Sequence, residues 1–336
     1  MAAMAAEPPK RTMIESSVKS VQLDGQVMLK IIQHCSDALP NLVTGQLLGL
    51  DVGFTLEITD CFPFPSNAGD EDEADDSAGA SYQLDMMRCL REVNVDNNTV
   101  GWYQSATMGT FQTMELIETF VNYHENIKKC VCLVYDPQRA GRGSVALRAI
   151  RLKETFIEAY KDQRLTGKDL REAGIAWKDV FVEVPIKLHN SALIQALVAD
   201  LAPQAAVATA ANFDRLSLSV GPFMEANLES LIACVDDLVN EQQKVTSYQK
   251  AVARQAQHLA TWLQKRKQDN QARRAAGEEL LPEEDNSLFK PVPEPGQLEN
   301  FLVSNQISTH CDQLNTAATQ ALQKLYVMEA LQKGNL

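Results

Sequence analysis

The residues best placed for chemistry lie between Val100 and Phe111. That stretch reads as a buried strand stopping at a small turn, before a helix that Thr110 or Thr113 caps and that carries Met114, Leu116, Ile117, Phe120 and Val121. A strand end followed by a turn and a helix start is where α/β proteins commonly seat catalytic groups. The groups supplied here suit no reaction. Gln104 is a neutral amide, Ala106 has no functional group, and Thr107 and Met108 are poor ligands for a hard metal. Ser105 lacks the glycine on each side that a nucleophile elbow uses. Asp136, at another strand end, suits a turn amide better than a reaction.

Elsewhere the chemical groups are scattered. The five histidines, His34, His124, His189, His258 and His310, form no pair at ligand spacing. Cys130 and Cys132 alternate with apolar residues in an apparent core strand, so the seven cysteines read as reduced, mostly buried thiols of a cytosolic or nuclear protein. No phosphate-binding loop, dinucleotide fingerprint or zinc-finger spacing occurs, and no cofactor is implied. A net charge of −13 opposes nucleic-acid binding by the surface as a whole. No apolar run reaches the ~18 residues of a membrane span.

The elements that would position these groups alternate between strand and helix over residues 18 to about 155. Val18–Leu23 is a short strand, and Val27, Met28, Ile31, Ile32 and Cys35 give the next helix one apolar face. Gly45–Leu50 and Thr55–Phe62 form a hairpin across Val52-Gly53, with small residues where another backbone approaches. An acidic loop over 67–80 is solvated or a docking surface for a basic partner. Tyr82–Val95 is helical, and Cys130–Tyr135 has the profile of a strand buried on both faces. Short helices at 153–160 and 166–173, a strand at 181–188 and a helix at 191–199 follow.

The pattern then changes. Leu231, Leu238, Val245, Val252 and Leu259 recur every seven residues in a long helix over 213–275. Its basic end, Lys265-Arg266-Lys267 and Arg273-Arg274, either sits in water near the helix C-terminus or touches RNA. A proline-rich linker spans 276–297. In the last segment, 298–336, Ile307, Leu314, Ala321, Leu325 and Met328 mark a bundle helix. Two striped helices do not hide their apolar faces as a lone hairpin, so part of this surface is expected to meet partner subunits. These readings divide the chain into a tail at 1–17, a core at 18–155, an extension and hinge at 156–212, and the helices. They favour a non-catalytic interaction protein, with an unrecognised enzyme as the alternative.

Gly45-Gln46-Leu47-Leu48-Gly49, Leu56 to Pro65, Val100 to Ser105 and Val134 to Pro137 together resemble the MPN (JAB-type) domain family. The resemblance implies an α/β fold, a mixed β-sheet flanked by helices, here followed by long C-terminal helices that join a bundle. In the family's zinc-dependent members, two histidines and an aspartate hold the metal and a glutamate activates water. In this chain the histidine positions hold Gln104 and Ala106, the aspartate position falls near Ile117 and the glutamate position near Leu42. The oxyanion serine falls near Met114, or at Thr113 if the loop is one residue shorter. A JAMM-type deubiquitinase is therefore disfavoured.

The whole chain is similar to the non-catalytic members that serve as subunits of eukaryotic translation initiation factor 3. The acidic loop, Glu183 to Ile186, Leu281 to Asp285 and the final helix carry that similarity. It implies a cytoplasmic scaffold whose MPN domain pairs with the factor's f subunit and whose helices bundle with PCI-domain subunits. Contact with the small ribosomal subunit would be through the complex, with RNA contact minor or indirect and no membrane.

Overall fold

A computed structural model describes residues 18–65, 76–93, 96, 98–140, 146–201, 220–276 and 292–334. These fall into two compact units. One draws on residues 1–107, 119–151 and 182–215, the other on 108–118, 152–181 and 216–336.

The first unit is built on a mixed sheet of eight strands in the order β7-β6-β5-β4-β2-β3-β1-β8. In chain order these are β1 (Ser20–Asp24), β2 (Thr44–Val52), β3 (Thr55–Pro63), β4 (Thr99–Ser105), β5 (Val131–Tyr135), β6 (Leu147–Leu152), β7 (Phe181–Val184) and β8 (Ile186–His189). β2 and β3 form the expected antiparallel hairpin, turning at Gly53 with φ of 65°. β4 lies antiparallel to β2 and parallel to β5. All five residues of β5 are buried, as a strand flanked by β4 and β6 requires. Two glycines permit this pairing. A Cβ at Gly49, beside a register shift, would sit 1.9 Å from the Glu57 carbonyl oxygen, and one at Gly101 1.8 Å from that of Val131.

Helix α1 (Gly25–Asp37) turns Val27, Ile31 and Cys35 into the core, whereas α2 (Asp76–Glu92) is mostly exposed. The helix expected over 82–95 thus starts and ends earlier. Residues 76–80 of the expected acidic loop are its first turns, and residues 66–75 lie outside the described ones. Helix α3 (Met114–Asn126) begins at Thr113, whose hydroxyl accepts from the Leu116 N–H at 3.2 Å, so Thr113 is the cap. Phe120 and Tyr123 pack on the Trp102 ring at centroid distances of 4.5 and 4.8 Å. A four-residue helix, α4 (Pro137–Ala140), and an exposed one, α7 (Ala192–Leu201), complete this unit among the described residues.

The single strand expected at 181–188 is two strands split at Pro185. β7 lies outermost beside β6 and β8 outermost beside β1, at opposite edges of the sheet. Only Pro185 separates them in the chain, so the two edge strands of the sheet are consecutive in sequence. Proline cannot donate to a ladder, but its carbonyl accepts from the Val21 N–H at 3.0 Å.

The second unit contains α5 (Glu154–Lys161), α6 (Gly167–Glu172), a 3₁₀ turn (Trp177–Asp179), α8 (Gly221–Ala276) and α9 (Leu298–Gly334). Helix α8 has 56 residues and α9 has 37, or about 84 and 55 Å of helix. They pack antiparallel: Asn227 meets His310, Cys234 meets Gln306, and Lys244 meets Glu299. The end of the expected linker is pinned, since Gln297 N–H donates to the Leu165 carbonyl at 2.9 Å and Gly296 bridges to Thr166. Residues 277–291 lie outside the described ones. No helix among the described residues is long and apolar enough to cross a membrane.

Candidate functional site

The end of β4 and the start of β2 lie side by side, with Thr44 opposite Gln104. Ser105 is buried here and its hydroxyl is committed to the backbone. It accepts from the Val43 N–H at 2.7 Å and reaches the Val43 carbonyl at 3.4 Å. That seam brings Leu42 next to Gln104 and Ala106, so the positions expected to carry a base and two imidazoles are neighbours. Their side chains supply no ligand set. Leu42 is 64% exposed, Gln104 is half-buried, and Ala106 is 2% exposed with its N–H donating to the Tyr135 carbonyl at 2.8 Å. Ile117, at the fourth position, is fully buried on α3. A hydrocarbon, an amide and a methyl group cannot replace imidazole and carboxylate around zinc. No group of three or more His, Cys, Asp or Glu among the described residues is arranged to hold a metal ion.

Other reactive groups nearby are held in structural roles. His34 Nδ1 lies 2.8 Å from the Tyr103 hydroxyl, and burial lowers the His34 pKa against the opposing charge of Asp37. Burial also raises the Tyr103 hydroxyl, whose ring occupies the space a Cβ at Gly45 would need. Asp136 caps α4, its Oδ1 accepting from the N–H groups of Gln138 at 3.0 Å and Arg139 at 3.3 Å. Burial pushes the thiols of Cys35 and Cys130 up to about 11 and that of Cys61 to about 12, so they stay protonated and poor as ligands or nucleophiles.

The turn that leaves β4 has a different use. Within the second unit, residues 108–113 are held by side-chain amides of α9. Gln313 Nε2 donates to the Met108 carbonyl at 2.8 Å, Gln306 Nε2 donates to the Gln112 carbonyl at 2.9 Å, and Gln112 Nε2 donates to Thr309 Oγ1 at 2.9 Å. Met108 and Gly109 both have positive φ, 54° and 70°, and a Cβ on Gly109 would lie 2.1 Å from Gln313 Nε2. Phe111 meets the Phe181 ring edge-on at 5.7 Å. Residues 108–113 are thus a seat for the last long helix of this chain.

Two family profiles match the chain. One, described as JAB1/Mov34/MPN/PAD-1 ubiquitin protease, covers residues 16–129, and the other, the C-terminal region of eIF3h, covers residues 140–336. The H subunit of eukaryotic translation initiation factor 3 from Arabidopsis thaliana is 53% identical, over 94% of this chain and 93% of that protein. The chain belongs to the eIF3h family. Proteins of the same name from Nematostella vectensis and Xenopus tropicalis are 41% and 40% identical, covering 93% and 96% of this chain and 94% and 95% of theirs.

In this eIF3h-family chain, the expected stripe positions divide between covered and open. Leu231, Leu238 and Val245 on α8 are half-buried, as are Ile307, Leu314, Ala321 and Met328 on α9. Val252 and Leu259 are each 39% exposed and Leu325 is 50% exposed. The buried positions along α8 and α9 are instead Phe223, Asn227, Cys234, Asn270, Leu298, Leu302, His310, Gln313 and Ala317, and the Asn227–His310 and Cys234–Gln306 contacts mark the seam between the helices. On α9 that seam is rotated by about one residue, roughly 100°, from the apolar stripe. Apolar periodicity missed it because Gln306, His310 and Gln313 carry it. Their spacing of four and three was the available signal.

Proposed function

We propose that this chain is a non-catalytic scaffold subunit of cytoplasmic eukaryotic translation initiation factor 3. The sheet-based unit pairs with the MPN domain of the f subunit, and α8 and α9 enter a helical bundle with PCI-domain subunits. In that position it supports assembly of the 43S preinitiation complex and mRNA recruitment to the small ribosomal subunit. On this reading residues 18–212 serve pairing and 213–336 serve the bundle. The names of the relatives support membership in the factor, and the ligand-free chemistry of the β4 turn supports scaffolding over hydrolysis.

The observation that carries the reading is the far end of α9. With Asn227 opposite His310 in an antiparallel pair, the start of α8 faces about residue 316, so the last ~18 residues of α9 run past it. There Leu322, Leu325, Tyr326, Val327 and Leu331 are 49–70% exposed. A contiguous apolar helix end of this kind marks a protein–protein contact. The test is Leu322→Lys with Tyr326→Lys in a tagged chain expressed in cells. We expect unchanged folding and at least a tenfold loss of co-purifying factor subunits. Full recovery of those subunits would refute the bundle role of α9.

A further inference from the structure

The charges of α8 are segregated along its length. From Gln242 to Ala276 the sequence holds eight lysines and arginines against one acid, Asp269, in a chain whose net charge is −13. Four members of this segment form a line. At 100° per residue, Lys250, Arg254, His258 and Lys265 fall within a sector of about 80°, and the first and last lie about 22 Å apart. All four are exposed, and none has an acidic partner among the described residues. Lys244, by contrast, is paired with Glu241 and Glu299 on the side that packs toward α9.

The rest of the sector is polar. Gln243, Ser247, Gln257, Thr261 and Gln268 lie between or beside the cations, and all five are exposed. Protein interfaces draw their affinity from buried aromatic and apolar anchors with few charges at the centre. This sector has no large apolar side chain. A row of three cations and an imidazole, without acidic partners among the described residues and interleaved with amides and hydroxyls, suits a ligand whose outer surface is a repeating anion with hydroxyls between, which is the ribose-phosphate backbone of RNA. We propose that the Lys250–Arg254–His258–Lys265 face of α8 is a sequence-independent RNA-backbone contact. It does not depend on the assembly reading, since it uses a different helix face from the apolar end of α9.

The probe is a short fluorescein-labelled single-stranded RNA of mixed sequence, titrated with the full-length chain over a range of KCl concentrations. The test variant carries Lys250→Gln, Arg254→Gln and Lys265→Gln, with glutamine chosen because it keeps helix propensity. The control carries Arg88→Gln, Lys168→Gln and Lys187→Gln, which removes the same charge elsewhere. We expect the test variant to bind about tenfold or more weakly at low salt, and its log K against log salt slope to be shallower by about 2, since three contacts at ~0.7 each are lost. The control should bind as the unsubstituted chain does. Absence of RNA binding by the unsubstituted chain, or equal losses in the two variants, would overturn the proposal. So would a test variant that keeps its RNA affinity but loses co-purifying proteins, which would make the face a protein contact.

Discussion

Replacing Gln313 tests whether α9 holds the turn after β4 through a specific donor. The side chain is 4% exposed and its Nε2 is 2.8 Å from the Met108 carbonyl oxygen. Gln313→Ala removes one neutral hydrogen bond, worth about 1 kcal/mol net, and leaves that carbonyl without its side-chain donor at an added ~1 kcal/mol. Against this, Gln313 Oε1 is itself buried without a partner among the described residues, so its removal returns part of the loss. The net is about 1–2 kcal/mol, corresponding to roughly 5- to 30-fold faster amide exchange if residues 109–113 exchange by local opening. Gln313→Glu keeps the shape but places an acceptor against an acceptor. Its cost should reach about 3 kcal/mol or more at neutral pH, because a carboxylate would be buried unpaired. As pH falls toward about 5 the carboxyl, whose pKa the same burial raises, regains its proton, can donate to Met108, and the defect should shrink. Hydrogen–deuterium exchange of the peptide spanning Thr107–Thr113, measured at two pH values, reads both variants. Exchange in Gln313→Glu equal to that of the unsubstituted chain at pH 8 would show that no donor from Gln313 holds the turn.

Two further outcomes follow from the site and from the helix seam. The purified chain should contain no stoichiometric zinc by elemental analysis and should cleave no isopeptide-linked ubiquitin, even with Gln104→His and Ala106→His together, because Leu42 and Ile117 still supply neither base nor third ligand; one tightly held zinc in the unsubstituted chain would contradict this. His310 is fully buried with Nδ1 3.3 Å from Asn227 Oδ1, and burial lowers its pKa from 6.5. The unfolded chain therefore takes up that proton first, so the contribution of neutral His310 to stability is full above pH 6.5 and is lost as pH falls through the lower folded value. Denaturation midpoints measured from pH 8 to pH 5 should fall less steeply in His310→Gln, and parallel curves for the two proteins would refute the assignment.

Much of the fold follows from local patterns. The alternation of Thr55–Phe62, the continuous apolar run of Cys130–Tyr135 and the one-sided face of α1 each have a period that only one element satisfies, and the structure forms those elements. What Gln104, Ala106, Ile117 and Leu42 can offer a metal was equally legible, because it depends on atoms each residue carries wherever it is placed.

Position relative to distant residues was not legible. Pro185 signals a break, but only pairing with β6 on one side and β1 on the other decides that the strands flanking it occupy opposite edges. The seam of α9 was hidden for a similar reason. Apolar periodicity ranks faces by hydrophobicity alone, whereas burial also rewards a polar side chain whose hydrogen bonds are satisfied across the contact. Half-buried Gln306 and buried Gln313 find the Gln112 and Met108 carbonyls across nearly two hundred residues or more of chain. The sequence by itself therefore determined which groups this protein lacks and which segments coil or extend. Tertiary structure decided which polar groups find partners, because a hydrogen bond depends on the distance between two atoms, and local sequence does not set that distance.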